Sequence, residues 1–201
     1  IIVYSKQLIK ERGFIMKTNS HTIKIVLTAL MMCIIMISIM FIKIPIPFTQ
    51  GYVHPGDAMI FLAVLVLGWK YGAVAAAFGG MLGDVMGGFA AWAPWTFCIK
   101  GIMAIILGLI VEAAFRKENR ARGGIVAVEI VGMIVSGAFM VAAYYVAEGI
   151  MYGNWIAPLA GIPWNIGQFA VGMVLAMLLA EALCKTPARA HFAYSLPAKN
   201  A

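Results

Sequence analysis

Four ionisable side chains, Asp57, Asp84, Lys100 and Glu148, lie within or at the edge of long apolar runs. A charge in hydrocarbon is costly, so each must pair with an opposite charge, contact a ligand or carry a proton. Asn165 and Gln168 fall at a matching level of the last apolar run and add amide donors and acceptors. Aromatic residues crowd the neighbouring connections: Trp92, Trp95 and Trp155, with Trp164 at the start of the last run. Flat aromatic walls with a few convergent polar groups describe a pocket for a small molecule.

Each feature also has a plainer origin. Trp and Tyr gather at both membrane–water boundaries. Asp84 and Lys100 flank one short connection, and on adjacent helices they would neutralise each other. Asp57 stands where a helix N-cap belongs. His54 is a lone loop histidine with no evident Cys or Ser partner and reads as solvent-facing. Glu112, Glu129 and Glu181 lie near the opposite ends of their runs, where water and Lys/Arg neighbours serve them.

The elements that hold these residues are six apolar runs, at about 23–44, 57–69, 73–88, 96–115, 125–148 and 163–184. Pro45 and Pro47 stop the first, because proline cannot continue a helix. Lys70-Tyr71-Gly72 makes a tight turn between the second and third, and Pro163 suits the first turn of the sixth. The chain is 63% hydrophobic and 11% charged over 201 residues. Soluble domains carry roughly 45–50% apolar and 25% charged residues, so the bilayer must be the solvent for most of this chain. The expected fold class is an all-α integral membrane protein, a bundle of six transmembrane helices. Residues 1–22 read as an N-terminal cytoplasmic segment, 23–184 as the membrane domain and 185–201 as a cytoplasmic tail. Residues 1–15 precede Met16, which leaves open whether they are native or a leader from an upstream start codon.

The net charge of +7 is distributed as the positive-inside rule expects, with no sign of a nucleic-acid surface. Lys and Arg occur before the first run, between the second and third, in the cluster Arg116 to Arg122, and after the sixth. The other three connections lack them. Both termini are therefore expected inside (N-in/C-in) and the aromatic connections outside, which puts Asp57, Asp84, Lys100 and Glu148 within about two turns of the outer face.

Ala75, Gly79, Gly83 and Gly87 recur every fourth residue in the third run, and Gly172, Ala176 and Ala180 do so in the sixth. Small stripes let helices approach closely, and packing within the bundle is the expected use of both. Ala29 and Cys33 form a shorter version in the first run. Cys33, Cys98 and Cys184 are odd in number and lack CxxC spacing, so they read as small buried hydrophobes and not as a disulfide framework or zinc site. GxSxG, HExxH and Walker signatures are missing. No catalytic residue, metal or cofactor is expected, and any ATP hydrolysis belongs to other chains.

The stretch Gly83-Asp84…Gly87-Gly88…Ala93-Pro94-Trp95-Thr96-Phe97…Lys100-Gly101 resembles the substrate-binding S components of energy-coupling factor (ECF) vitamin transporters. It is most similar to the subgroup assigned to hydroxymethylpyrimidine or pyridoxine-type substrates. The resemblance covers about 23–184. It implies a bacterial inner-membrane, multi-pass protein that binds a small vitamin. It also implies a transmembrane coupling protein and two cytosolic ATPases as partners. The implied pocket opens outward beneath the connection between the first two helices, where Asp84, Trp92, Trp95, Lys100, Glu148, Trp155, Asn165 and Gln168 are the candidate ligand contacts. The family's helix-one docking face, often Ala-xxx-Ala, corresponds here to Ala29-xxx-Cys33. Two alternatives stand beside this reading: a self-sufficient ion-coupled transporter using Asp84 or Glu148, and a membrane enzyme using Asp84 or His54. Pantothenate, with a carboxylate for Lys100, is a further candidate ligand.

Overall fold

The computed structural model describes residues 2–46, 51–118 and 127–194. Pro47 and, in the basic cluster, Arg120 and Arg122 lie outside them. The described elements are α1 (Ile2–Phe41), β1 (Ile44–Pro45), β2 (Tyr52–Val53), α2 (Gly56–Leu67), α3 (Trp69–Met86), α4 (Ala93–Glu118), α5 (Ala127–Tyr152) and α6 (Gly161–Cys184). Short 3₁₀ turns at Ala157–Ala160 and Pro187–His191 bracket α6.

Four of the helices are long and apolar enough to cross a membrane: His21–Phe41, Ala93–Phe115, Ala127–Tyr152 and, with its preceding turn, Ala157–Cys184. The other two are different. At 1.5 Å per residue α2 is about 18 Å long and α3 about 27 Å, against a hydrocarbon core of about 30 Å. Helix α2 is hydrophobic on every face, as a helix must be when protein surrounds it. All of its residues but Met59 are buried, and it packs on α1, α3, α4 and α6. Gly68, at φ +82°, is the single residue between α2 and α3 and allows the chain to reverse there.

The small stripe on α3 serves internal packing, as its spacing indicates. A Cβ on Gly79 would lie 2.9 Å from the Met32 carbonyl oxygen, and one on Gly83 would lie 2.9 Å from Ile39 Cγ2, so both glycines let α1 lie directly on α3. On α6, Gly172 faces the Asp57–Ala58 backbone, and Ala176 and Ala180 are fully buried. Gly79→Val should therefore cost about 1–3 kcal/mol through overpacking. Gly167→Ala, on an open face of α6 with nothing within 4 Å of the new methyl, should be neutral or stabilising. Thermal melting of the two purified variants checks this contrast.

Several expectations change. The cysteines are not core residues: Cys33 and Cys98 are exposed and Cys184 is intermediate, on the outside of the bundle where lipid would meet them. Glu129 is completely buried, not water-served. Part of the expected tail folds back on the bundle. Phe192 is buried, the Ala193 N–H donates to the Val66 carbonyl, and the Tyr194 hydroxyl donates to the Gly108 carbonyl.

Candidate functional site

The connection after α1 is a small lid. Ile44 pairs with Val53 and Pro45 with Tyr52 in an antiparallel hairpin, extended by the Ile46 N–H donating to the Gly51 carbonyl at 3.0 Å. Pro45 lies in the first of these strands, beyond the end of α1 at Phe41. His54, expected in solvent, is only 7% exposed. Its backbone N–H donates to Gln168 Oε1 at 3.0 Å, and its Nδ1 accepts from the Gly56 N–H at 3.1 Å. Burial first, and the Lys100 ammonium second, push its pKa down to about 3, so the ring is neutral at physiological pH. Lys43 also sits at this end. Its Nζ donates to the Gly87 carbonyl at 2.8 Å and lies 5.3 Å and 5.0 Å from the ring centroids of Tyr52 and Phe89.

Beneath the hairpin is a narrow cavity of about 20 Å³, room for about one water molecule. Five residues singled out from the sequence line it: Asp84 from α3, Trp92 from the turn before α4, Glu148 from α5, and Asn165 and Gln168 from α6. The structure adds Ile46, Gly51, Tyr52, His54, Thr96 and Tyr144. The Tyr52 hydroxyl donates to Asp84 Oδ1 at 2.5 Å, which ties the lid to α3. Thr96 Oγ1 and the Tyr144 hydroxyl are 3.2 Å apart and share a hydrogen bond. The Trp92 and Tyr144 rings, with centroids 6.1 Å apart, form an aromatic wall.

Lys100 lies under this cavity and does not line it. Its Nζ donates to Asp57 Oδ1 at 2.5 Å, with both side chains fully buried. It also lies 2.9 Å from Met140 Sδ and 5.3 Å from the Tyr144 ring centroid. The neutralising partner of Lys100 is therefore Asp57 and not Asp84. The register of α3 on α4 explains why. A Cβ on Gly80 would meet Thr96 Cγ2 and Lys100 Cγ, so Lys100 leaves α4 at the level of Gly80, one turn below Asp84. Nor does Asp57 cap α2, whose N-cap has no side-chain hydrogen bond. Gln168 Nε2 donates to Asp57 Oδ2 at 2.8 Å. One buried chain thus runs from the His54 backbone through Gln168 and Asp57 to Lys100.

Two of the expected tryptophans stand outside the cavity. Trp95 is half-buried on α4. Trp155 is 50% exposed, lies against Gly149 and tilts over Tyr145 at 5.9 Å. The sequence did carry a signal for two of the added residues. Thr96 and Tyr144 each stand four residues before an expected site residue, Lys100 and Glu148, and so share its helix face.

The long apolar helices, with a buried polar cluster under the hairpin at one end, define a helical membrane protein. A model of the family described as the S component of ECF-type riboflavin transporters matches residues 19–185, and the chain belongs to this family. A Lactococcus lactis subsp. cremoris (strain MG1363) protein named thiamine precursor transporter HmpT is 29% identical over 143 residues, 71% of this chain and 76% of the relative. An uncharacterised Pyrococcus woesei protein is 34% identical over 117 residues, 58% of this chain and 72% of the relative. The fold matches a solved S component of a bacterial ECF transporter with a TM-score of 0.62 at 20% identity, covering 82% of this chain and 97% of that one.

Proposed function

We propose that this S component captures a small water-soluble vitamin or precursor, of the hydroxymethylpyrimidine or pyridoxine type, from outside the cell and delivers it to an ATP-driven importer. The observation that carries the proposal is the cavity itself, where Asp84, Trp92, Glu148, Asn165 and Gln168 converge under the hairpin lid. The family description names riboflavin, and the similarity to a relative named for thiamine precursor transport supports the smaller pyrimidine. Trp92 and Tyr144 provide a stacking surface for a flat heterocycle, and Asn165 and Gln168 supply hydrogen bonds to its edge.

In this reading the chain spans a bacterial cytoplasmic membrane six times, with both ends inside and the hairpin outside. The short α2 and α3 complete their crossings within the bundle. A transmembrane coupling protein meets the Ala29–Cys33 face, and two cytosolic ATPases supply the energy. Cysteines substituted at Asn154 and at Asn119, the latter outside the described residues, should label from opposite sides of intact cells. Labelling of both from outside would overturn the orientation. The function is tested by co-purifying the chain with its partners, identifying the bound ligand by mass spectrometry, and showing that uptake needs the ATPases. Uptake by the chain alone would favour an ion-coupled carrier instead.

A further inference from the structure

The hairpin has a second face. Successive side chains of a strand point to opposite sides. Tyr52 lines the polar cavity, while Val53 and its cross-strand partner Ile44 turn to an apolar groove on the outside of the bundle. The groove has a volume of about 420 Å³, within the range of small-molecule sites. Ile42, Ile44 and Val53 form one wall, and Trp164, Gly167 and Val171 of α6 form the other. His54 and Gln168 line both the groove and the polar cavity. The Gln168 amide is engaged on the bundle side, where Oε1 accepts from the His54 N–H and Nε2 donates to Asp57. The prolines that complete the lining, Pro55 and Pro163, carry no N–H. A water needs about two to four polar partners, and this lining supplies too few. Gly167 has nothing within 4 Å of where a Cβ would stand, so its missing side chain gives the groove its depth. Below it Val171, Val174, Leu175 and Leu178 continue an exposed apolar stripe along α6, at the spacing of a single helix face.

We propose that this groove holds an acyl chain of a bilayer phospholipid, and that the chain braces the hairpin against α6. The groove opens onto the lipid-facing stripe of α6, so a chain lying on that stripe enters it without leaving apolar surroundings. The lengths agree. One leaflet of a hydrocarbon core is about 15 Å deep, or about ten residues of helix, which is the stretch from Trp164 to Val174. Trp164 stands at the boundary end of that stretch, where indoles collect. The gain is not hydrophobic, because lipid tails are as apolar as the groove. It is dispersion: an empty groove leaves its walls without contacts, and a flexible chain restores them. The consequence falls on the lid. The polar cavity has room for about one water, so a larger ligand enters only when the hairpin moves. A chain wedged behind Ile44 and Val53 opposes that movement, and the lid of the cavity therefore responds to the lipid.

The test is native mass spectrometry of the purified full chain released from vesicles of 1-palmitoyl-2-oleoyl-phosphatidylcholine. That headgroup has no net charge, so retention reports on the acyl chain and not on the basic ends of the protein. One phospholipid per protein should be retained. Gly167→Leu places a side chain in the groove and should weaken retention by about tenfold or more. Ile42→Trp, which fills the groove from the opposite wall, should do the same. Val131→Phe, on an exposed face of α5 and outside the groove lining, should keep the lipid. Thermal melting confirms that each variant is folded. Backbone hydrogen exchange of residues 51–56 should be about tenfold slower in the lipid-bound parent than in the lipid-free parent. In Gly167→Leu it should no longer depend on lipid. A parent that retains detergent or nothing in place of phospholipid would overturn the site, and so would full retention by both Gly167→Leu and Ile42→Trp. Exchange that ignores the lipid in the parent would overturn the bracing. Ligand titration takes no part in these outcomes, so the binding-subunit reading stands or falls separately.

Discussion

Ala29→Trp should abolish ATP-driven uptake while leaving ligand affinity unchanged. Ala29 and Cys33 are both exposed, one turn apart on α1, within an outward face that includes Val26, Leu30 and Ile37 at 60%, 52% and 47% exposure. The opposite face carries the buried Thr28, Ile35 and Ile39 and packs on α3. An indole at position 29 therefore projects away from the core and leaves the bundle intact. Small residues at an exposed helix face allow a second membrane helix to approach closely, and a bulky ring prevents it. The cavity is remote, since Ala29 stands fourteen residues before Lys43 on the lid, or about 21 Å along a helix. The check is radiolabelled uptake in cells that co-express the partners, with ligand titration of the purified variant beside it. Normal uptake at normal expression would remove Ala29 from the docking face.

The sequence made the level of the site legible, but not the pairing of its side chains. Composition and Lys/Arg spacing located six apolar segments, and the ionisable residues within them pointed to one end of the bundle. That followed because an intramembrane charge is rare for an energetic reason. Pairing depends on helix register, which hydropathy does not encode. Asp57 and Lys100 are 43 residues apart in sequence, and only the close contact of Gly80 with α4 decides that Lys100 sits below Asp84. The hairpin was obscured for a related reason. Its two-residue strands are too short to show an alternating pattern, so Tyr52 and His54 looked like ordinary loop residues. That protein and not lipid surrounds α2 was likewise hidden, because hydropathy alone does not distinguish a helix buried in protein from one facing lipid.

Lys100→Met should destabilise the protein by about 3–5 kcal/mol, because it leaves the Asp57 carboxylate buried without its cation. Both partners are fully buried, so water cannot replace the missing charge. The melting temperature of the purified protein should fall by on the order of 10 °C. Adding Asp57→Asn removes the orphaned charge and keeps an oxygen for the amide of Gln168, which donates to Asp57 Oδ2 in the parent. The double variant should recover most of the loss, since a buried ion pair replaced as a unit is often close to neutral. Adding Asp84→Asn instead should recover nothing, because Asp84 bonds Tyr52 on the lid and not Lys100. Restoration by Asp84→Asn and not by Asp57→Asn would show that the pairing is wrong. Ligand titration of the same proteins then separates stability from recognition. Lys100 acts from beneath the cavity, so the Lys100→Met/Asp57→Asn protein should bind nearly as well as the parent. If affinity stays lost after stability has returned, Lys100 contacts the ligand directly.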